Sequence, residues 1–282
     1  MTDRTIVITG ASDGIGAAAA KRLSRSGEKV VVVGRSPQKT AAVANGIGAD
    51  YLVADFSELA QVRDLAEQLL ERYPRIDVLA NNAGGLMGQR QVTVDGHEKT
   101  FQVNHLAPFL LTTLLLDRLV ECRASVVNTS SLGNKLFGHV DIDDLEAERG
   151  YRRQKAYGDA KLENILFTKE LHRRYHSSGI STAAFHPGSV ASNFGAESES
   201  RLLRIVYHTP LRHLALVTPE QGSDLLVWLA SATPGQDWTS GEYYSGHSVG
   251  KANKQAYDTE LARRLWDRSA AMIATTSQGA GS

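Results

Sequence analysis

The segment that most constrains the fold is TIVITGASDGIGAAAAKRL, residues 5–23. An apolar, β-branched stretch leads into a glycine-rich turn, and an alanine-rich stretch typical of a helix follows. Glycines permit positive φ and let main-chain N–H groups approach a phosphate, and the helix N-terminus adds partial positive charge. This order predicts a dinucleotide-binding unit, with a plain glycine-rich turn as the alternative. The turn residues predicted to line the dinucleotide are Gly10, Ser12, Asp13, Gly14, Ile15 and Gly16.

Short runs rich in valine and isoleucine alternate with helical patterns along the whole chain. The runs are residues 5–9, 29–33, 51–54, 76–80, 125–129 and 180–185, and the helical patterns are residues 14–26, 57–73, 96–121, 153–177, 219–232 and 256–273. Runs that are apolar throughout suit parallel strands covered by helices on both faces. The spacing therefore predicts a single-domain α/β fold with a doubly wound, Rossmann-type parallel sheet.

The bulk properties favour one domain that binds small molecules. We expect a domain over residues 1–274 and a flexible tail over 275–282, because the last residues are small, polar and glycine-rich. Lysine plus arginine equals aspartate plus glutamate, 31 each, which argues against nucleic acid as a partner. The single cysteine suits a reducing cytoplasm, and no run is apolar and long enough to predict an integral membrane segment.

The residue after the second predicted strand indicates which dinucleotide is bound. A free ribose 2′-OH calls for an acidic side chain there, whereas a 2′-phosphate calls for arginine, and this chain has Arg35. Ser12 and Ser36 add hydroxyl donors, but Asp13 would repel a 2′-phosphate if it faced inward. We therefore expect NADP rather than NAD as the cofactor, with NADPH preferred.

Polar and small residues follow the third and fourth predicted strands at the edge where ligands of open parallel sheets bind. Asp55 is predicted to accept from the adenine amine, and Ala83 and Gly84 to pack beneath the nucleoside. A helix cap is the alternative role for Asp55, and a turn is the alternative for the asparagine pair at 81–82. The residues predicted to line the cofactor at this edge are Asp55, Phe56, Asn82, Ala83 and Gly84.

The segment YRRQKAYGDAK, residues 151–161, contains two tyrosine–lysine pairs with a spacing of four. In a helix this spacing puts both side chains of a pair on one face, whereas the two tyrosines, six residues apart, point in different directions. The residues after Tyr157 are mostly small and would let a nicotinamide approach closely. We therefore expect Tyr157 and Lys161 to face the cofactor, with Tyr151 and Lys155 as the alternative pair.

Taken together, these motifs resemble the short-chain dehydrogenase/reductase superfamily. The resemblance rests on TGASDGIG, NNAG, the asparagine of FQVNHLAPF, the serines of VVNTSS, YGDAK and HPGSV, in the right order over about residues 4–270. Within the superfamily, VNHLAPFLLT, YGDAKLENILFTKEL and FHPGSV look most like the retinol-dehydrogenase-like branch. The chain departs from that branch at Asp159, where serine is usual, and we expect no N-terminal membrane anchor.

The resemblance implies a role for each catalytic residue. Tyr157 is the proton donor or acceptor, Lys161 is its partner, and Asn104 holds a water of the proton relay. Ser131 orients the carbonyl, with Ser130 as the alternative. The residues implied to lie at the nicotinamide are Pro187, Gly188 and Val190. The helices near 96–121 and 153–177 are implied to be surfaces of a possible homodimer.

Physical chemistry gives the tyrosine–lysine pair its reason. Carbonyl reduction needs a hydride and a proton from an acid whose pKa is near the working pH, and free tyrosine, with a pKa near 10, is too weak. An ammonium about 4 Å away, at an effective dielectric near 20, favours the phenolate by roughly 4 kcal/mol. We therefore expect Lys161 to bring the pKa of Tyr157 near neutrality, while a serine hydroxyl donates to the developing alkoxide.

The predicted function is hydride transfer between NADP(H) and the carbonyl or alcohol of a hydrophobic small molecule, such as an aldehyde, a ketone or a retinol-like alcohol. Apolar residues in 132–140 and 193–217 predict the substrate site, with 189–217 as a mobile lid. A helix packed on the body or a membrane-surface segment are alternatives for 193–217. The alternative function is a non-catalytic NADP(H)-sensing protein that binds a partner. No metal site is expected, because His139, His208 and His213 lack ligand spacing.

Overall fold

A computed structural model describes residues 4–188 and 218–276 of the chain. Its sheet has seven strands in the order β3-β2-β1-β4-β5-β6-β7, and every neighbouring pair is parallel. The strands are β1 Thr5–Ile8, β2 Lys29–Gly34, β3 Asp50–Val53, β4 Val78–Asn81, β5 Ser125–Thr129, β6 Ser181–His186 and β7 Glu242–Ser245. The predicted doubly wound α/β fold is confirmed.

Helices cover both faces of this sheet. The α-helices are α1 Gly14–Arg25, α2 Pro37–Asn45, α3 Leu59–Arg72, α4 Lys99–Phe101, α5 Ala107–Leu114, α6 Leu116–Glu121, α7 Gly133–Leu136, α8 Arg153–Tyr175, α9 Pro219–Gly222, α10 Asp224–Ser231 and α11 Thr259–Thr276. A π-helical turn spans Gln102–Leu106, and 3₁₀ turns span His176–Ser178 and Lys254–Tyr257. None of the helices in the described ranges is long and apolar enough to cross a membrane.

The strands are apolar throughout because each face of the sheet has its own hydrophobic core. Ile6 and Ile8 of β1 pack with α1 and α10 on one face, whereas Val7 packs with α3 and α5 on the other. Successive residues of a strand point to opposite faces, so both sets must be apolar. The strand order reverses between β1 and β4, and this reversal opens a crevice at the carboxyl edge of the sheet.

Helix α11 forms part of the core on the second face. Trp266 lies between Phe109 of α5 and Phe167 of α8, with ring centroids 5.0 and 5.7 Å away. These are packing distances at which aromatic side chains stabilise one another. Helix α11 therefore covers part of the surface of α5 and α8. That part of the predicted homodimer surface is occupied by the chain itself.

Three elements were missing from the sequence-based prediction, namely α2, α7 and β7. The predicted helix over 96–121 is also broken into α4, a π-helical turn, α5 and α6. A signal for α2 was present, because Ser36 caps it and Pro37 occupies its first turn. The sequence EYYS of β7 is short and was hidden among turn residues, although glycines bound it on both sides.

Candidate active site

The glycine turn between β1 and α1 is held by side chains from the end of β4. The Nδ2 atom of Asn82 donates to the carbonyls of Thr9 and Gly10, at 3.0 and 3.3 Å. Gly10 and Gly14 have φ of +65° and +54°, and a Cβ on Gly16 would lie 2.4 Å from the carbonyl oxygen of Gly10. At Gly14 no described atom would lie within 4 Å of a Cβ. The turn thus has the tight backbone and the open side that a dinucleotide pyrophosphate requires.

The end of β2 lies beside this turn. A Cβ on Gly34 would meet the Oγ of Ser12 at 2.9 Å, so the main chain just before Arg35 touches the turn. Arg35 is exposed, as binding to a phosphate from solvent requires. Ser36 has a structural role as the N-cap of α2, where its Oγ accepts from the N–H of Lys39.

The side chain of Asp13 is 78% exposed and does not face into the glycine turn, the position from which it would repel a 2′-phosphate. It caps α1 by accepting from the N–H of Gly14 at 2.8 Å, and its other carboxylate oxygen lies 3.1 Å from the Nζ of Lys39. Ile15 packs against the core beneath α1. Lys39 was missed by the sequence analysis, although the Ser-Pro start of α2 placed it one turn after Arg35.

The predicted cofactor residues after β3 and β4 make contacts within the protein at the carboxyl edge of the sheet. Asp55 accepts from the N–H and the hydroxyl of Ser57 in the turn before α3. The N-cap of α3 is Glu58, so the alternative prediction of a helix cap for Asp55 is wrong. The side chain of Phe56 is buried in the core, so only its main chain lies at the edge. The N–H of Ala83 donates to the hydroxyl of Thr9, which ties the end of β4 to β1.

The two serines after β5 point in opposite directions. Ser130 is buried and donates to the carbonyl oxygen of Lys161 at 2.7 Å, which fixes α8 to the end of the strand. The Oγ of Ser131 accepts from the N–H of Gly133 at 3.1 Å and forms a hydrogen bond with Tyr157. Only Ser131 therefore shares its surroundings with the phenol.

Tyr157 and Lys161 lie together against the end of β5. Lys161 is 3% exposed, and its Nζ lies 3.2 Å from the carbonyl oxygen of Thr129 and 5.5 Å from the ring centroid of Tyr157. Burial lowers the pKa of Lys161 to about 7. Burial also raises the pKa of Tyr157 above its usual value, and the hydrogen bond with Ser131 opposes this only in part.

These directions contradict the expectation that Lys161 brings the pKa of Tyr157 near neutrality. The expectation took the lysine as a full positive charge, but a buried ammonium is itself costly, so the lysine titrates near pH 7. The geometry therefore gives a neutral phenol beside a buried lysine that titrates near pH 7, rather than a preformed phenolate.

Asn104 lies in the π-helical turn and closes the other side of the lysine. Its Oδ1 accepts from the N–H of Gly85 at 2.9 Å, and its Nδ2 donates to the carbonyls of Gly85 and Thr100. A Cβ on Gly84 would lie 2.4 Å from that Oδ1 and 3.2 Å from the Nζ of Lys161. Gly84 thus has to be glycine, and the structure brings Gly84, Asn104 and Lys161 together as predicted residues of one site.

The two side chains of the other tyrosine–lysine pair, Tyr151 and Lys155, bond different partners. The hydroxyl of Tyr151 lies 3.2 Å from the hydroxyl of Thr100 and from the carbonyl oxygen of Gly88. Lys155 forms an ion pair with Asp159, which also accepts from the N–H of His139 at 2.7 Å. Asp159, the departure from the usual serine, thus holds the loop before α8 to that helix.

Gly158, which the sequence analysis counted among small residues that let a nicotinamide approach, packs against the main chain of its own protein. A Cβ on Gly158 would lie 2.8 Å from the carbonyl oxygen of Gly133 and from the nitrogen of Gly138. Gly158 therefore lets α8 pack directly on the main chain around α7, and this packing positions the loop that begins at Ser131. Asn134 reinforces the loop, because its Oδ1 accepts from the N–H of Asn253 at 3.0 Å.

The loop after β6 completes the edge. Pro187 is followed by Gly188, whose φ is +88° and whose N–H donates to the Nδ1 of His186 at 2.9 Å. Val190 and the predicted lid 189–217 lie outside the described residues. Leu136 and Phe137 follow Ser131 by five and six residues, and their side chains are 68% and 37% exposed. Within the described ranges, no group of three or more metal-ligating side chains comes together.

Comparison with known proteins identifies the family. A family model described as short chain dehydrogenase matches residues 4–202. The chain belongs to the short-chain dehydrogenase family. Its relatives include a Streptomyces protein named "Putative daunorubicin C-13 ketoreductase DnrU", 41% identical over 98% of this chain and 94% of that protein. Human retinol dehydrogenase 13 is 36% identical over 96% of this chain and 84% of its own length.

Solved structures agree with this family membership. An uncharacterized protein from Mycobacterium paratuberculosis superposes with a TM-score of 0.75 at 31% identity, covering 95% of this chain and 92% of that one. A short chain dehydrogenase from Shigella flexneri, solved with NADP, has a TM-score of 0.63 at 26% identity, covering 82% and 92%. The resemblance to the retinol-dehydrogenase-like branch is confirmed, and the protein is an oxidoreductase of a family that binds a nicotinamide cofactor.

Proposed function

We propose that this oxidoreductase reduces the carbonyl group of apolar small molecules with NADPH, or oxidises the corresponding alcohols with NADP. The observation that carries the proposal is the convergence of Ser131 and Tyr157 on one point, with Lys161 buried directly behind them. Two hydroxyls that meet in this way can both hydrogen-bond one carbonyl oxygen. The hydroxyl of Tyr151 also meets a hydroxyl, that of Thr100, but the lysine of this second pair, Lys155, is engaged by Asp159.

The proposed mechanism divides the work among these side chains. Bound NADPH supplies the hydride. Ser131 orients the substrate oxygen and stabilises the charge that develops on it, and Tyr157 donates the proton that makes the alcohol. Lys161 then returns a proton to Tyr157, for which its pKa of about 7 is well matched. Asn104 holds the main chain at Gly85 and keeps this side of the lysine closed.

The preference for NADP rests on the carboxyl end of β2. Arg35 is exposed there, next to a turn whose backbone can hold the pyrophosphate, and an acidic residue that would bind a free 2′-OH is missing from that position. Asp55, the other acidic candidate at this edge, accepts from Ser57 with one carboxylate oxygen, and we propose that the other accepts from the adenine amine.

The proposed substrate is a bulky apolar ketone, aldehyde or alcohol. The exposed side chains of Leu136 and Phe137 favour such a molecule, since exposed apolar side chains are typical of ligand sites. Two relatives point the same way, one named for retinol and the other for a ketone of daunorubicin. We propose that residues 189–217 close this site within one domain spanning 1–274, in a protein of the reducing cytoplasm.

The test is NADPH oxidation with all-trans-retinal, daunorubicin and simple aromatic ketones as substrates. The wild type is compared with Tyr157→Phe and with Tyr151→Phe, the matched control from the segment just before the same helix. We expect at least a hundredfold loss of kcat for Tyr157→Phe and less than a threefold change for Tyr151→Phe. Loss in Tyr151→Phe alone would overturn the assignment, and tight NADPH binding without turnover of any substrate would favour a sensor.

A further inference from the structure

An ion pair bridges the glycine turn and α2 at the place where the cofactor ribose is proposed to bind. The Nζ of Lys39 lies 3.1 Å from the Oδ2 of Asp13, and both side chains are largely exposed, at 64% and 78%. This contact, together with the N–H of Gly14, holds the pKa of Asp13 below its usual value. Asp13 is therefore ionised at neutral pH, and Lys39 is held toward the turn.

The surroundings of this ion pair make it a phosphate site that already contains an anion. Arg35 lies four residues before Lys39, and Ser12 packs on Gly34 beside it. A phosphate monoester placed between the turn and α2 would meet the guanidinium of Arg35 and the ammonium of Lys39. The carboxylate of Asp13 would compete with this phosphate for the ammonium of Lys39.

We propose that Lys39 is a second ligand of the cofactor 2′-phosphate and that Asp13 sets the cofactor preference by competing for Lys39. This inference rests on the proposed use of NADP. Binding of the phosphate exchanges one ion pair of Lys39 for another, and Asp13 stays in place because its other oxygen still caps α1. Exchange is feasible because an exposed ion pair contributes little stability and because a phosphate carries more charge than a carboxylate.

The exchange makes predictions that simple repulsion by Asp13 does not. Asp13→Asn keeps an oxygen that can cap Gly14 but removes the charge, and Lys39→Met removes the ammonium while keeping an unbranched side chain. If Asp13 acts by withholding Lys39, the gain from Asp13→Asn should depend on Lys39. If Asp13 only repels the phosphate, the gain should be the same with and without Lys39.

The experiment measures equilibrium dissociation constants without turnover, by calorimetry, for NADPH, NADH, adenosine 2′,5′-bisphosphate and adenosine 5′-monophosphate. The proteins are the wild type, Lys39→Met, Asp13→Asn, the double variant, Arg35→Ala, and Lys21→Met as a matched control. Lys21 is exposed on α1. Arg35→Ala tests the proposed use of NADP separately.

We expect Lys39→Met to raise Kd for NADPH and for the bisphosphate by about tenfold, with less than twofold change for NADH and the monophosphate. Asp13→Asn should lower Kd for NADPH by about fivefold, and this gain should shrink to less than twofold beside Lys39→Met. Unchanged NADPH binding in Lys39→Met, or an equal gain in both backgrounds, would overturn the inference. Equal binding of NADPH and NADH by the wild type would instead overturn the proposed cofactor.

Discussion

The burial of Lys161 should lower the free energy of unfolding, and replacing Lys161 with an apolar residue should raise it. Its Nζ donates to the carbonyl oxygen of Thr129, and burial is the cause of its lowered pKa. Burial lowers that pKa from the ordinary 10.5 to about 7. The difference of roughly 3.5 corresponds to about 5 kcal/mol at 1.36 kcal/mol per pKa unit. Relaxation of the site should reduce the measurable effect to about 2–3 kcal/mol.

The sign follows from proton binding. Between pH 7 and 10.5 the unfolded chain holds a proton on Lys161 that the folded protein has released, so the contribution of this group to stability rises with pH in that window. Below pH 7 the cost is complete, and near pH 10.5 it has vanished. Lys161→Met removes the group, and the carbonyl oxygen of Thr129 keeps its second donor, the Nδ2 of Asn164 at 3.2 Å.

The assay is urea unfolding from pH 6 to pH 10, with Lys21→Met as the exposed control. Lys161→Met should be more stable than the wild type by about 2–3 kcal/mol at pH 6–7, and the two curves should converge toward pH 10. The control should show no pH-dependent difference. Two results would refute the conclusion that the buried Lys161 destabilises the folded protein. One is a Lys161→Met variant that is less stable than the wild type at pH 6, and the other is a stability difference that does not change with pH.

Two further predictions concern the packing around the site. Gly158→Ala should lower the free energy of unfolding by about 1–3 kcal/mol and reduce turnover, because its Cβ would lie 2.8 Å from main-chain atoms of Gly133 and Gly138. Gly88→Ala, where no described atom would lie within 4 Å, is the control, and equal thermal shifts for the two variants would contradict the packing argument. Glu163→Gln should stabilise the protein increasingly as the pH rises above 4.5, because burial and the nearby Asp159 raise the pKa of this carboxyl well above its usual value. Urea unfolding against pH checks this, with the exposed Glu67→Gln as control, and a constant difference from pH 4 to pH 8 would contradict it.

The sequence predicted the sheet well because its strands are apolar on both faces and alternate with helical patterns, which is typical of a covered parallel sheet. It also predicted the edge where the site lies, since the carboxyl ends of parallel strands meet there. Short elements escaped it. Helix α7 has four residues and β7 four, and neither is long enough for its periodicity to stand out.

Side-chain direction is the part that the sequence could not fix. Ser130 and Ser131 are chemically identical neighbours, and only the end of a strand decides which one bonds the main chain of α8 and which one meets the phenol. The Asn134–Asn253 contact joins residues 119 apart in the chain and has no local signal. The predicted pKa of Tyr157 near neutrality is wrong for a related reason, because spacing along a helix gives the proximity of Lys161 but not its burial.

The two tyrosine–lysine pairs show how little a spacing motif establishes by itself. Both pairs lie at or near the start of α8, yet Lys155 bonds an acidic residue at the surface while Lys161 is buried against the end of β5. What separates them is the neighbour that each face of the helix meets. The face of Tyr157 meets a strand end that supplies a serine hydroxyl and a carbonyl, and Gly158 lets the helix approach closely enough to use them. The contact between α8 and the edge of the sheet thus identifies Tyr157 and Lys161 as the candidate catalytic pair. The spacing motif identifies only the helix.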